Sequence, residues 1–294
     1  MKKTILMAVA ALALVACGGG QGETALPINT VERTVDGVNQ FKNTYEYDAA
    51  GNVTRQIRLE WNARLNDWQE IIKYENTYDG SGNRLTQTLS TKVDSVTWIN
   101  SSKYEAQYNS ANKVTAEQWY AWNEQGQKWV ENVRYSYQYD ANNMRTQETS
   151  QSYNSATGQW ENGVKVDYKN ASKVESNVTT YDWKDGNWVE RTNDLYTYDK
   201  NGSQICIVYQ AKDSTNAWKP FSKKEYEYDE RGRLVNEKTY RMTSSGEWTN
   251  MNKITTDYDQ FGNRRKTTTF LPQGNVWRVA QGVVYDNEYQ PKEQ

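Results

Sequence analysis

Apolar and polar residues alternate over short stretches of this chain, and turn-forming residues separate the stretches. In one stretch Val53, Ile57, Leu59 and Trp61 fall at alternate positions, with polar side chains between them. Alternation with a period of two is typical of a β-strand that has one apolar face. No helical segment interrupts this pattern in the body of the chain, which is therefore predicted to consist of strands.

A tyrosine–aspartate turn recurs about every 30 residues and gives the chain its period. The tyrosines of this series are Tyr47, Tyr78, Tyr108, Tyr139, Tyr168, Tyr198, Tyr228, Tyr258 and Tyr285. A tryptophan series runs in step with them: Trp68, Trp98, Trp129, Trp160, Trp188, Trp218, Trp248 and Trp277. A fixed period of this size predicts stacked supersecondary units rather than one irregular globule.

The turn residues suit the backbone geometry that such a turn requires. Asp48 fits the first position of a type I turn, and Gly51 fits the fourth, where the backbone becomes left-handed. The residues that replace Gly51 in later copies are Gly82, Asn112, Asn143, Ser172, Gly202, Gly232 and Gly262. Only Ser172 is unsuited to that conformation, so we expect a local irregularity there.

Each period also contains a second turn, which lies between Asn62 and Asp67 in the first copy, and a second strand that begins at Trp68. Each period is therefore predicted to be one β-hairpin. The tryptophan precedes its tyrosine by an even number of residues in every copy. On a strand without a bulge, both rings would project from the same face.

These features predict an all-β fold. About eight tandem hairpin repeats of ~30 residues would occupy residues 41–294 and form one long antiparallel meander. A sheet of roughly sixteen or seventeen strands rarely stays flat, because its twist accumulates. We expect this sheet to coil into an open superhelical sheet or a partly closed barrel, with the aromatic rings inside.

The N-terminus predicts export and lipidation. A basic start and a short apolar run are typical of a secretory signal, and the run is too short to cross a bilayer. The run ends in Leu-Val-Ala-Cys-Gly at residues 14–18, which resembles the lipobox of bacterial lipoproteins. The resemblance implies a signal peptide over 1–16, a lipid on Cys17, and a lipidated N-terminus with a flexible tether over 17–40. The alternative is an ordinary signal peptide that is cleaved near a cysteine.

The residue after the cysteine bears on location. In lipoproteins of the enteric type, aspartate at this position favours retention in the inner membrane, whereas this chain has Gly18. The expected location is therefore the outer membrane of a Gram-negative bacterium, on either its periplasmic or its outer face. The membrane, contacted through the lipid, would be one partner of the protein.

Composition narrows the possible chemistry. The 294-residue chain has a formal net charge of −2, which provides no basic surface for nucleic acid. Histidine is absent, which excludes histidine-dependent catalysis and nearly all zinc or haem sites. The turn aspartates are expected to cap their own turns, so neither a metal nor a cofactor is expected. The 22 tyrosines and 12 tryptophans argue against disorder.

The turn and the strand that follows it resemble the YD repeat of the Rhs and teneurin-type families. The best copy runs from Tyr226 to Leu234, and the likeness recurs from about residue 45 to residue 286. In those families such repeats build a large β-cocoon that encloses a toxin or displays adhesive surfaces. The chain also resembles YD-repeat lipoproteins of Bacteroidetes, a group without an assigned role. The resemblance implies a fold more than a function.

Aromatic residues outside the two series are the candidate binding residues. Rings that every repeat carries serve the repeat itself, whereas additional exposed rings often mark contact sites. Trp61 and Trp122 occupy matching positions, and Trp183 lies one residue off. Trp119 and Tyr120 complete the densest cluster. The alternative is that these rings pack at the edge of the sheet, under the turns.

The sequence favours a non-enzymatic envelope lipoprotein that binds a glycan or an envelope protein through an extended aromatic-rich β surface. A purely structural or adhesive scaffold is the alternative. A glycoside hydrolase would need paired carboxylates, for which Glu70, Glu131 and Glu190 are the candidates on the ring face. Asp94-Ser95-Val96 and Asp213-Ser214-Thr215 resemble the O-glycosylation sequon of Bacteroidetes.

Overall fold

The computed structural model describes residues 25–170, 174–274 and 276–289, which form a single antiparallel sheet of 18 strands. The strands are β1 (Pro27–Thr34), β2 (Asn39–Tyr47), β3 (Val53–Asn62), β4 (Asp67–Tyr78), β5 (Arg84–Lys92), β6 (Trp98–Tyr108), β7 (Val114–Asn123), β8 (Lys128–Tyr139), β9 (Arg145–Asn154), β10 (Gln159–Asn170), β11 (Glu175–Lys184), β12 (Asn187–Tyr198), β13 (Gln204–Lys212), β14 (Trp218–Tyr228), β15 (Leu234–Met242), β16 (Trp248–Tyr258), β17 (Arg264–Gln273) and β18 (Val276–Tyr289). Within this part of the chain, no helix has the length and apolar character that crossing a bilayer requires.

The sheet closes on itself. Each strand pairs antiparallel with the next one along the chain, and β1 also pairs with β18, where Glu32 lies opposite Tyr285 and Thr34 opposite Val283. The all-β antiparallel meander is confirmed, whereas the expected open superhelix or partly closed barrel is wrong. Closure is favoured because an open sheet would leave the backbone N–H and C=O groups of two edge strands unpaired.

The closing strand comes from the segment to which the sequence assigns the tether. Residues 27–34 form β1 and lie between β2 and β18, so the prediction of a flexible tether over 17–40 is wrong for this part. The repeat domain therefore starts earlier than the predicted residue 41. Cys17, the signal peptide and the first residues of the tether lie outside the described residues.

Every hairpin carries one extra residue shortly after the series tryptophan. In the first hairpin Leu59 pairs with Glu70 and Arg58 pairs with Ile72, which leaves Ile71 without a partner opposite it. An extra residue reverses the alternation of side chains between the two faces. The series tryptophans and tyrosines therefore lie on opposite faces, and the expectation of a shared face is wrong. We call these faces the tryptophan face and the tyrosine face.

The tyrosine–aspartate turns form as predicted in the described copies. Asp48 accepts hydrogen bonds from the backbone N–H groups of Ala50 and Asn52, each at 2.9 Å, and these bonds are repeated in later turns. The fourth turn residue has a positive φ at Gly51, Gly82, Asn112, Asn143, Gly202, Gly232 and Gly262. The irregularity expected at Ser172 lies outside the described residues.

The last tyrosine–aspartate pair departs from the pattern. Tyr285 and Asp286 lie inside β18 and form no turn, because this strand continues to Tyr289. Asp286 instead forms an ion pair with Arg33 of β1. The last copy has therefore become part of the seam that closes the barrel.

The wall is one sheet thick, and few described side chains are buried. The buried hydrophobic residues are Tyr104, Ala106, Val178 and Ile207, and most of the other buried residues are polar. Barrels of 16–18 strands are wide enough to hold water, which agrees with solvent reaching both faces. Hydrogen bonding therefore contributes much of the order within the wall.

In six copies a tyrosine hydroxyl ties the tyrosine–aspartate turn to the hairpin that precedes it. The hydroxyl of Tyr258 donates to the backbone carbonyl of Leu234 at 2.9 Å. The same bond, to the residue that begins the neighbouring strand, is made by Tyr47, Tyr78, Tyr108, Tyr139 and Tyr228. The repeated tyrosine thus satisfies a carbonyl at a strand end, where the ladder leaves it free.

The barrel has two different rims. The tyrosine–aspartate turns lie at one end, which we call the YD rim, and the turns before the series tryptophans lie at the other, which we call the Trp rim. Both ends of the described wall lie at the YD rim, where Pro27 pairs with Tyr289. The amide of Asn263 also donates to the carbonyl of Ala25 at 3.0 Å, which holds the start of the described chain at this rim.

Candidate functional site

Three of the predicted binding residues lie on the tryptophan face at the Trp rim. Each stands directly opposite a series tryptophan, in the second-to-last pair before the turn. The ring centroids are 5.0 Å apart for Trp61–Trp68, 4.9 Å for Trp122–Trp129 and 4.9 Å for Trp183–Trp188. All are edge-to-face contacts, the preferred geometry for aromatic pairs. Trp61, Trp122 and Trp183 therefore share one environment.

Other hairpins place a lysine at the same position. The Lys92 ammonium lies 4.7 Å from the centre of the Trp98 ring, and the Lys212 ammonium lies 5.0 Å from that of Trp218. These cations cover the faces of the series rings. Among the described residues no cation lies over Trp68 or Trp129. The repeat can therefore place either a lysine or an aromatic residue opposite its series tryptophan. An aromatic residue at this position is not required by the fold.

The tryptophan pairs are too far apart to form one compact pocket. Trp61, Trp122 and Trp183 lie on β3, β7 and β11, so neighbouring members of this set are four strands apart. With about 4.8 Å between strands, this separation is roughly 19 Å along the rim. Tyr153 and Trp160 form a further edge-to-face pair at 5.2 Å in the hairpin between the last two.

The cluster predicted at residues 119–122 is divided between the two faces. Tyr120 shares the tryptophan face with Trp122, and its hydroxyl donates to Glu105 at 2.9 Å. Burial, reinforced by Glu105, raises the pKa of Tyr120 to about 12. Trp119 lies on the tyrosine face, where its ring contacts Tyr104 with 4.9 Å between centroids. These neighbours hold the two rings within the wall.

The carboxylates considered for hydrolysis are not brought together. Glu70 pairs with Lys92 at 2.7 Å, and Glu190 pairs with Lys212 at 3.0 Å. Glu70, Glu131 and Glu190 lie on β4, β8 and β12, so neighbouring members are about 19 Å apart along the sheet. Glycosidases hold their two carboxyl groups about 5–9.5 Å apart.

A polar cluster on the tyrosine face was not anticipated from the sequence. Glu117 accepts hydrogen bonds from the hydroxyls of Tyr104 at 2.8 Å and Tyr137 at 2.6 Å. Arg145 pairs with Glu148 at 3.0 Å and lies over the Tyr137 ring. Burial raises the pKa of the Glu148 carboxyl, against the opposing effect of Arg145. This cluster could not be predicted from the sequence, because the bulges move side chains to the face opposite the one that simple alternation assigns.

Exposed apolar side chains are concentrated at the Trp rim. Val96, at the tip of a turn there, is 81% exposed. Others in the turns or first strand residues of this rim are Val35, Val38, Leu65, Val93, Trp183, Val189, Leu271 and Val276. At the YD rim the exposed large apolar residues are Leu26 and Val174. The Trp rim is thus the end of the described barrel that presents apolar surface.

The two serines of the resembled O-glycosylation sequon also lie at this rim. Ser95 and Ser214 are exposed in the turns that precede Trp98 and Trp218. Asp213 accepts hydrogen bonds from the side chain and backbone of Thr215, which lower the pKa of its carboxyl. The serine hydroxyls stand clear of these contacts, so modification of Ser95 and Ser214 stays a prediction.

Two clefts lie at the opposite, YD rim. They have volumes of about 440 and 460 Å³, and Asp229 lines both. Asp229 holds the guanidinium of Arg233 at 2.6 Å, so a charged group of the cleft wall is already paired. None of the predicted aromatic residues lines these clefts. Among the described residues, no three potential metal ligands are grouped together.

No protein-family model and no curated protein matches this chain. A DUF3836-family protein from Bacteroides vulgatus is 26% identical over 30% of this chain and 87% of its own, with a TM-score of 0.27. A porin-like protein from Bacteroides uniformis is 9% identical over 90% of this chain and 99% of its own, with a TM-score of 0.40. The TcdB2–TccC3 structure is 13% identical over 84% of this chain and 16% of its own, with a TM-score of 0.28. With TM-scores this low, the YD-repeat family is not established, and the β-rich repeat fold rests on the strands described above.

Proposed function

We propose that this protein is a lipid-anchored, non-enzymatic glycan-binding protein of the outer membrane, and that its Trp rim is the binding surface. The observation that carries the proposal is the placement of Trp61, Trp122 and Trp183. All three lie on one face and at one rim, where the repeat itself accepts a lysine instead. Aromatic rings that the fold does not require, and that solvent reaches, are suited to stacking on sugar rings.

The position of Ala25, the first described residue, supports an orientation of the barrel relative to the membrane. About eight residues separate Cys17 from Ala25 and could span at most about 29 Å. Ala25 is held at the YD rim, and strands of about ten residues place the Trp rim up to ~33 Å further away. With a lipid on Cys17, the YD rim would face the membrane and the Trp rim would point away from it.

The side chains of the barrel wall support a protein that is anchored to the membrane by its lipid rather than one whose strands cross the membrane. A membrane-spanning barrel presents an apolar band to lipid on its outer face. Here the tryptophan face carries ion pairs such as Lys73–Glu75, and the tyrosine face carries Arg58–Glu32. Neither face offers lipid a continuous apolar band. The barrel would therefore stand beside the membrane on its tether.

The proposal is tested with a soluble fragment that starts at Gly18 and contains every described strand. A glycan array, followed by tryptophan-fluorescence titration, is expected to give a saturable ligand. We expect Trp61→Lys and Trp122→Lys to weaken that binding at least tenfold, because each removes a stacking ring worth about 1–3 kcal/mol by analogy with base stacking.

Lysine is the matched replacement, because the chain already uses it opposite Trp98 and Trp218. The melting temperature should therefore change little. Tyr285→Phe, a substitution on β18 towards the YD rim, serves as the control that should bind normally. A silent array with folded protein, or full binding by both lysine variants, would overturn the proposal.

The scaffold alternative is favoured by the exposed aliphatic side chains of the Trp rim, such as Leu65 and Val276. Apolar patches of this kind often contact other proteins. If the array is silent, capture of an envelope protein that is lost on Leu65→Asp would support this second function.

A further inference from the structure

The aromatic pairs of the Trp rim form a regular series of sites. We use the term aromatic stations for Trp61–Trp68, Trp122–Trp129, Tyr153–Trp160 and Trp183–Trp188. Each station occupies the second-to-last pair before its turn, so all four lie at the same height on the tryptophan face. The first and second are about 19 Å apart along the rim, and the later ones follow at about 10 Å.

These separations bear on the size of the ligand. A monosaccharide or disaccharide can reach one station only. A ligand that contacts two or more stations at once needs repeated units along an extended chain. Simultaneous contact makes the second binding event intramolecular and raises the overall affinity without new kinds of contact.

The charges around the stations bear on its chemistry. Lys73, Lys92, Lys103 and Lys223 lie within 2.8 Å of Glu75, Glu70, Glu105 and Glu225, respectively. Lys165 and Lys212 lie within 3.3 Å of Asp167 and Glu190. These ion pairs neutralise six cations of the tryptophan face. Two further cations there, Arg134 and Lys253, form no ion pair among the described residues and lie 4.4 and 5.4 Å from the centres of the Trp160 and Trp277 rings. Two separated charges fall short of the continuous row of unpaired cations that attracts a polyanion.

From the spacing of the stations and the neutralised charge between them, we propose that the ligand of the Trp rim is an extended, uncharged polysaccharide that contacts several stations at once. This inference rests on the proposed glycan-binding function and specifies its substrate class. It also assigns Tyr153 and Trp160, which lie outside the set of predicted site residues, to the binding surface.

The test uses the soluble fragment from Gly18 and size ladders of neutral β-linked glucan and mannan, from disaccharide to polymer. Heparin provides the polyanionic comparison. We expect affinity to rise at least tenfold once a chain can span two stations and then to level off. Raising the salt concentration from 0.05 to about 0.5 M should change the affinity less than twofold, because few counterions are released.

Station variants provide the second readout. Trp122→Lys alone should weaken polymer binding by less than Trp122→Lys and Trp183→Lys together, while leaving disaccharide binding at the remaining stations. Binding that does not depend on chain length, or that prefers heparin and falls steeply with salt, would overturn the inference and leave glycan binding intact. The absence of binding to any glycan would overturn both.

Discussion

At the scale of single residues, the repeated tyrosine acts through its hydroxyl as well as its ring. The hydroxyl of Tyr258 donates to the carbonyl of Leu234. We expect Tyr258→Phe to lower the free energy of unfolding by about 1 kcal/mol, because the ring stays and one hydrogen bond is lost. Urea denaturation followed by circular dichroism measures this change.

Tyr285 provides the matched control for this substitution. Its hydroxyl makes no hydrogen bond to the described residues, so Tyr285→Phe should leave the unfolding midpoint unchanged. Equal effects of the two substitutions would show that the ring alone stabilises the wall.

The residue scale is also where sequence reasoning succeeded best. Asp48 and Gly51 act within a few residues of their own positions, so local turn chemistry was enough to predict their roles. The partner of Tyr258 could not be predicted in the same way. Leu234 lies 24 residues earlier, at the other end of the same hairpin, and the contact depends on the register between its two strands.

At the scale of strands, one glycine lies where the barrel closes. Gly282 of β18 faces the turn between β1 and β2, and a Cβ atom built on it would lie 2.5 Å from Cγ1 of Val35. We expect Gly282→Ala to lower the free energy of unfolding by about 1 kcal/mol through overpacking. Thermal unfolding of the variant measures the effect.

Val35→Ala should restore much of the stability of Gly282→Ala, because it removes the atom in conflict. Gly80→Ala is the control, since a Cβ atom there meets no atom within 4 Å. If the double variant is no more stable than Gly282→Ala, the glycine is needed for a reason other than this contact.

The bulges show why the faces of the strands were predicted incorrectly. The bulge residue is Ile71 in one hairpin, Ser101 in another and Arg191 in a third. These side chains share no feature that a sequence reveals. The even spacing from tryptophan to tyrosine predicts that both rings share one face of the strand. One extra residue between them moves the tyrosine to the opposite face. Trp119 and Trp122 need no bulge to separate them, because they lie three residues apart on β7 and ordinary alternation places them on opposite faces.

At the scale of the whole molecule, the tyrosines make stability depend on alkaline pH. Burial raises the pKa of Tyr74, Tyr78, Tyr135, Tyr198 and Tyr258 above the usual value. A raised pKa in the folded state means that the stability is fully present below the unfolded pKa of about 10 and is lost as pH rises further. We expect unfolding above about pH 10 to coincide with tyrosinate formation.

Parallel titrations by tyrosinate absorbance and far-ultraviolet circular dichroism test this expectation. The two transitions should coincide in the native protein, whereas protein in guanidinium should titrate smoothly near pH 10. Complete tyrosinate formation before any loss of sheet signal would contradict it.

Closure itself was beyond the reach of the sequence. It depends on pairing residues 27–34 with residues 276–289, and neither segment carries the full turn pattern of the internal repeats. Whether a long meander closes is fixed by strand number, tilt and stagger together, and no single repeat specifies these. The repeat unit could therefore be predicted, while the number of units around the ring could not.

Because β1 and β18 are neighbours, the order in which the strands appear along the chain is separable from their order around the ring. A peptide linker from Tyr289 to Pro27 would join ends that already pair. The chain could then be opened at another YD turn without changing any neighbour of any strand. The strand order along this chain is therefore one of several circular permutations that would build the same ring of paired strands.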